Sequence, residues 1–232
     1  MYLSELIFDP WRREVPRLLA DSYALHRRLL QAFPDAADGG CGRVLFRAEL
    51  DKGAARLLVQ SEKRPDFRAL GALLAGCRGP KEWTPTFMAG QTLHFRLRAN
   101  MTVKREGKRR VLYGETAAET QAKEVAWLAR KGAQHGFALV PLPSGADWFD
   151  PFAEDAEAPA ARVEVQLVRL PVYEGHKPAS EGRGAMTVAH TGVDCNGVLR
   201  VTDSALFLAA VAGGIGPAKA FGFGLLSVAP VR

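Results

Sequence analysis

Cysteine, long apolar runs and acidic clusters are all scarce in this chain, and each scarcity closes off a class of protein. The three cysteines, Cys41, Cys77 and Cys195, are odd in number, far apart and form no CxxC or Cys–His spacing. That argues for reduced thiols and against a zinc site. The longest apolar stretch, around residues 205–216, is too short and too glycine-rich to span a bilayer. The opening MYLSELIFDPWRREV meets Glu5 and Asp9 before a signal-peptide core could form, so a soluble cytoplasmic protein with no membrane partner is expected. A P-loop, a Gly-x-Ser-x-Gly elbow and a metal-binding cluster of Asp or Glu are also missing. Any catalysis expected here is acid–base chemistry with no metal and no small-molecule cofactor.

What is present is a well-cored composition with a positive balance. Hydrophobic residues make up 47% of the chain and charged ones 24%, the range of ordinary globular domains. The net charge of +6 suits an anionic partner. Residues 1–8 read as a strand, and residues 15–33 carry Leu18, Leu19, Leu25, Leu29, Leu30 and Phe33 at helical intervals, with Asp21 and Ser22 as a cap inside the run. VLFRAEL and ARLLVQS, joined by DKGA, read as a strand pair, and FRALGALLAG as a short helix. The first 75 residues thus predict β-α-β-β-α, which asks for one more strand, and a proline-rich connection follows from Pro80 to Pro85.

The second half repeats the pattern. A strand from residue 92 and a helix over 116–136 are followed by a strand at 137–142 and an acidic, proline-bearing loop at 147–160. VEVQLVRLPVY and MTVAH are expected as two strands joined by the basic tip EGHKPASEGRG. VLRVTD, a helix over 204–212 capped by Asp203 or Ser204, and LLSVAPV complete the chain. An α+β fold of two tandem ferredoxin-like βαββαβ domains, over 1–90 and 91–232, is the natural architecture.

Three features carry chemistry. GGIGPAKAFGFG (213–224) holds five glycines and one lysine, and it lies between a helix and a strand, the reverse of a dinucleotide site. Gly213 and Gly214 can simply end the helix. The others, with Lys219, suit a phosphate backbone. Residues 96–110 hold Arg96, Arg98, Lys104, Arg105, Lys108, Arg109 and Arg110 against one acid, Glu106, and read as a track for a nucleic-acid backbone or a solvated strand end. Leu93, Phe95 and Leu97 alternate with His94, Arg96 and Arg98, which puts the cations on one strand face. In SYALHRRLL, His26 follows Tyr23 by three residues, so both project from one helix face, beside Arg27. Taken alone, such a pair is more often structural than catalytic.

RNA gives this pair a use. Its 2′-hydroxyl can attack the adjacent phosphate in line, expelling the 5′ oxygen and leaving a 2′,3′-cyclic phosphate. That needs a base, an acid and a cation for the pentavalent charge. Tyr23, His26 and a nearby lysine fit those roles.

The stretches MYLSELIFDPWRREVPRLLADSYALHRRLLQAFPD, FRLRANMTVKREGKRR…AKEVAWLARKGAQHGF and VLRVTDSALFLAAVAGGIGPAKAFGFGLLSVAP, in that order, resemble the CRISPR-associated endoribonuclease of the type I-E Cascade complex, often called CasE. The resemblance runs from end to end. It implies two ferredoxin-like domains that bind the repeat hairpin of precursor CRISPR RNA, cut at its base without metal, and stay with the product beside other Cascade subunits. It implies Tyr23 and His26 as catalytic, with Arg27 adjoining. The family's glycine-rich signature falls on Gly214, Gly216, Lys219, Gly222 and Gly224, a loop expected between the domains and at the RNA. Arg96, Arg98, Lys104 and Arg105 are implied on the RNA path, and Lys177 and Arg183 on a hairpin that enters the stem's groove. That hairpin carries fewer cations than the resemblance implies, and Asp-Ser precedes Tyr23 where Asn-Pro is implied. A non-cleaving hairpin-binding subunit, or an RNA-binding protein outside any CRISPR system, are the other readings.

Overall fold

A computed structural model describes residues 1–33, 40–51, 54–141, 163, 165–177 and 186–231. The first half builds β1 (Tyr2–Phe8), α1 (Glu14–Ala20), α2 (Ser22–Leu30), β2 (Val44–Asp51) and β3 (Ala54–Ser61), then a 3-10 turn over Phe67–Leu73 and β4 (Leu74–Glu82). Its sheet runs β2-β3-β1-β4, every neighbour antiparallel. Apolar faces of Leu6, Phe8, Phe46 and Leu57 meet Leu25 and Leu29 of α2. Burying each leucine contributes ~1.5–3 kcal/mol, which fixes α2 on the sheet with its opposite face outward.

The second half builds β5 (Thr92–Ala99), the hairpin β6 (Thr102–Arg105) and β7 (Lys108–Val111), α3 (Ala117–Gln134) and β8 (Phe137–Leu139). Then come β9 (Val165–Arg169), the hairpin β10 (Tyr173–Lys177) and β11 (Met186–His190), β12 (Val193–Val201), α4 (Ser204–Gly213) and β13 (Leu226–Pro230). The main sheet runs β13-β5-β12-β8, and β9 also pairs with β12. Both sheets therefore follow the ferredoxin-like order, with strand four beside strand one, then three, then two. In the second sheet β8 and β9 share one strand's place. Among the described residues no helix is long and apolar enough to cross a membrane.

Five details differ from the sequence expectation. The fourth strand of the first sheet is Leu74–Glu82, which takes the end of the expected helix and the start of the expected connection. Its side chains are mostly exposed, so it lacks the apolar alternation that marks a strand. The helix before it narrows to a 3-10 turn capped by Asp66, whose carboxylate accepts from the Arg68 amide. The run VEVQLVRLPVY divides into β9 and β10 at Pro171, a residue with no N–H to give a ladder. The expected strand at 137–142 ends at Leu139, and β12 begins at Val193, five residues before the expected VLRVTD. The acidic loop at 147–160 lies outside the described residues.

A buried charge network joins the two sheets. Arg98 of β5 places Nε and Nη2 at 2.7 and 2.9 Å from the two carboxylate oxygens of Asp194 on β12. Its Nη1 donates to the Ala48 carbonyl of β2 at 2.7 Å. Arg98 and Asp194 are each 7% exposed. Arg47 of β2, also buried, donates to Glu49 and to the Arg96 and Leu225 carbonyls. Gln60 of β3 donates to the Val211 carbonyl of α4 at 2.7 Å. Arg98, Arg47 and Gln60 thus each find acceptors across the junction, as burial requires.

Candidate active site

The site begins with one carboxylate. Asp21 separates α1 from α2, and its side chain accepts from the Tyr23 and Ala24 amides at 2.9 and 3.0 Å, a helix N-cap. It also accepts from the His176 amide and lies 3.2 Å from His176 Nδ1. Partial burial pushes the Asp21 carboxyl up, but the bonds from Ala24, His176 and Tyr23 outweigh it and hold it below its ordinary value. Ser22 Oγ donates to the Glu174 carbonyl at 3.0 Å. The base of the β10–β11 hairpin is thereby tied to the first turn of α2.

On α2 the Tyr23 ring lies 6.3 Å from Phe221 of the glycine loop. His26 stacks on Phe46 of β2, with ring centroids 6.1 Å apart and planes 15° apart. Its Nδ1 is buried and meets no hydrogen-bond partner among the described residues. Burial lowers the His26 pKa below the ordinary imidazole value, so the ring is neutral at pH 7. Arg27 stands exposed next to it. A neutral imidazole on the helix face that also bears Tyr23 is in the form that can take up a proton.

The glycine loop packs against both halves. Gly214, Gly216, Gly222 and Gly224 all have left-handed φ, between 74 and 88°. A Cβ on Gly222 would come 3.1 Å from the Phe46 ring, the surface His26 stacks on. The Ile215 amide donates to Gly224 and the Gly224 amide to Arg98, closing the loop onto β5. Lys219 Nζ donates to the Gly216 carbonyl at 2.7 Å. Its ammonium is therefore held across the loop, at the end lined by Trp127, and His26 forms no bond with it.

The sequence placed other cations on this path, and the structure sorts them. Arg98 is the correction: it is buried in the Asp194 and Ala48 bonds and offers no face to a ligand. The strand alternation was right for residues 93 to 97, but the face carrying Arg98 is covered by β2. Arg96 is half-exposed and pairs with Glu49 at 3.1 Å. Lys104 is exposed on β6. Arg105 and Lys177 lie on β6 and β10, with side chains outside the described residues, as is Arg183 altogether.

Sequence reasoning missed Phe46, Phe221 and Gly175. A Cβ on Gly175 would come 2.7 Å from Phe221 and 3.1 Å from Tyr23 Cβ, so only glycine lets β10 lie against the helix. The sequence reading put Gly175 in the joining tip EGHKPASEGRG, whereas the structure has it inside β10. His190 of β11 closes the other side, 2.8 Å from Asn100 and 4.5 Å between ring centroids from Phe221.

A family model described as "CRISPR associated protein" matches residues 1–230. The chain is 34% identical over 233 residues to CRISPR-associated endoribonuclease Cse3 of Thermus thermophilus, covering 99% of this chain and 100% of that protein. It is 30% identical over 241 residues to the CRISPR system Cascade subunit CasE of Escherichia coli K12, covering 100% of each. Among solved structures, a CRISPR endoribonuclease Cse3 bound to 19 nt RNA superposes with a TM-score of 0.78 at 34% identity, covering 99% of this chain and 100% of that one. Thermus thermophilus Cse3 bound to an RNA representing a pre-cleavage complex gives 0.75 at 33% identity, with 99% and 98% covered. A histidine–tyrosine helix face, a glycine loop closed on both halves and an end-to-end match of sequence and fold converge on one placement: the chain belongs to the Cse3/CasE family of CRISPR-associated endoribonucleases.

Proposed function

We propose that the chain binds the hairpin in each repeat of precursor CRISPR RNA and cuts it at the base. The cut follows attack by the RNA's own 2′-hydroxyl, without metal, and leaves a 2′,3′-cyclic phosphate and a 5′-hydroxyl. The protein then stays on the product as a Cascade subunit. The observation that carries this reading is His26: half-buried, neutral, with an unsatisfied ring nitrogen, on the helix face that also bears Tyr23.

A neutral imidazole is the form that accepts the 2′-OH proton as the oxygen attacks phosphorus and the bond to the 5′ oxygen breaks. The Tyr23 phenol donates to the phosphoryl group or to the leaving oxygen. Arg27, exposed one residue from His26, supplies the positive charge expected of a lysine, because Lys219 is held on the loop's other end. The non-cleaving subunit finds no support in this site, since pure binding needs no titrating group there. Membership of a CRISPR family argues against an RNA-binding protein outside such systems.

The test is cleavage of the host's repeat RNA in EDTA, with analysis of both product ends. Cyclic-phosphate ends and loss of cutting on a 2′-deoxy substrate support the reading. A metal requirement, or cutting of the deoxy substrate, would end it.

The His26 environment fixes a pH dependence. Because its pKa lies below the ordinary 6.5, its active neutral form is already dominant at pH 7. Single-turnover cleavage is expected to be flat from pH 7 to 8 and to fall as pH drops through a value below 6.5. A rate that rises on acidification would make His26 the acid instead. Gly175→Ala is a second probe. Overpacking against Phe221 and Tyr23 should cost ~1–3 kcal/mol in a thermal melt and lower the cleavage rate by ~10-fold or more as β10 lifts from α2. Full activity with an unchanged melt would show that the hairpin adapts freely.

A further inference from the structure

The Gly216 end of the glycine loop opens into a cavity of about 510 Å³. Lys104 and Arg109 of the β6–β7 hairpin, Lys131 and His135 at the end of α3, and Lys219 converge on it, and no carboxylate among the described residues lines it. Bare backbone at Gly216 lies against Trp127, whose ring also carries the Lys131 ammonium at 5.8 Å from its centroid. Burial lowers the pKa of Lys219, and its neighbours Arg43, Lys131 and Arg109 lower it further. Burial likewise lowers His135, with Lys131 and Lys219 adding to it. Arg43 stands just before β2, and the carboxylate near it is Glu62, which accepts the Arg43 amide.

Such convergence opposes folding unless something anionic offsets it. The helix dipole explains two of these groups, since the C-terminal end of α3 carries roughly half a negative charge. It does not explain Arg109, Lys104 and Lys219, which arrive from two other elements. Lys219 is also aimed: one of its three N–H groups holds the Gly216 carbonyl, which fixes the ammonium at the cavity wall.

We propose that this cavity is a phosphate subsite, and that its occupant is a backbone phosphodiester of the single-stranded RNA flanking the hairpin. The proposal rests on the RNA reading above. Gly222 touches the ring on which His26 stacks, and Gly216 lines the cavity. Five residues lie between them, and six residue steps limit the distance to at most ~21 Å. A strand passing His26 therefore reaches the cavity within a few nucleotides. Lys131, Lys219 and Arg109 take the phosphate oxygens, and the loop backbone leaves room for the sugar.

The experiment uses His26→Ala protein, so that RNA stays intact, with and without the added pair Arg109→Ala and Lys131→Ala. Dissociation constants are measured over a salt series for the repeat hairpin with and without its single-stranded flanks. For flanked RNA, the added pair should weaken binding ~10-fold near 0.1 M salt and reduce the slope of log K against log salt by ~1 to 1.5. The bare hairpin should be unaffected. Lys131→Glu serves as a second variant, expected to act in the same direction and more strongly, with melting curves to check folding. An unchanged slope on flanked RNA overturns the proposal. Equal loss on the bare hairpin also overturns it, by making the stem the ligand. Inorganic phosphate titrated against Trp127 fluorescence separates the sources: a phosphate-dependent change with no effect of the variants on RNA assigns the cavity to a free anion. Wild-type protein that fails to cut while the slopes shift as expected would sink the cleavage reading and leave the subsite standing.

Discussion

Replacing His26 with alanine will stop cleavage while leaving the hairpin bound. A positioned acid or base contributes ~10²–10⁴-fold in rate, and loss of that order is expected in single turnover. Affinity should stay within a few-fold, because a neutral ring carries no charge for the phosphates and the exposed cations remain. The ring's own structural share is modest: it stacks on Phe46, and its Nδ1 makes no hydrogen bond among the described residues. Tyr23→Phe, which removes a single hydroxyl, should slow cutting less. If cleavage and binding fall together in His26→Ala, the residue belongs to binding or folding, and the acid–base assignment is lost.

The second large effect concerns stability. Arg98→Ala leaves the Asp194 carboxylate buried without its fork of donors, and breaking a buried pair in this way costs ~3–5 kcal/mol. For a chain of this size the melting temperature should drop on the order of 10 °C. Asp194→Asn should act in the same direction. Arg98→Lys keeps the charge but not the planar fork and should recover only part of the loss. Arg96, two residues earlier and 42% exposed at its side chain, is the contrast. Its removal should cost no more than ~1 kcal/mol of stability. It should lower the salt slope of RNA binding instead, by just under ~1 for each phosphate contact removed. A harmless Arg98→Ala would mean that the two sheets are held by something other than this clasp.

Those two arginines show where sequence reading stops. Alternation along FRLRA placed both on one face, and that face is real. What covers it is β2, whose Ala48 carbonyl lies fifty residues away in the chain, and no local spacing reports that distance. The elements with a patterned apolar face, β1, α2 and α3, were legible from that pattern, and α4, apolar nearly all round, from its Asp203 cap and closing glycines. β4 was not, because its residues are exposed and its strand state comes from pairing with β1. The same division runs through the site. Tyr23 and His26 share a helix face that three-residue spacing predicts. Phe46, Phe221 and Gly175 join them only through tertiary packing.

Asp21 does two jobs with one carboxylate: it ends the free amides of the helix bearing Tyr23 and His26, and it grips the hairpin at His176. The two are consequently a single mechanical unit at that joint. A load on the hairpin, such as a nucleic acid drawing it outward, competes for oxygens that the helix start also needs. By reciprocity, whatever steadies that first turn also steadies the hairpin. Under the proposed function, grip on the RNA and the alignment of Tyr23 and His26 are settled by the same small equilibrium.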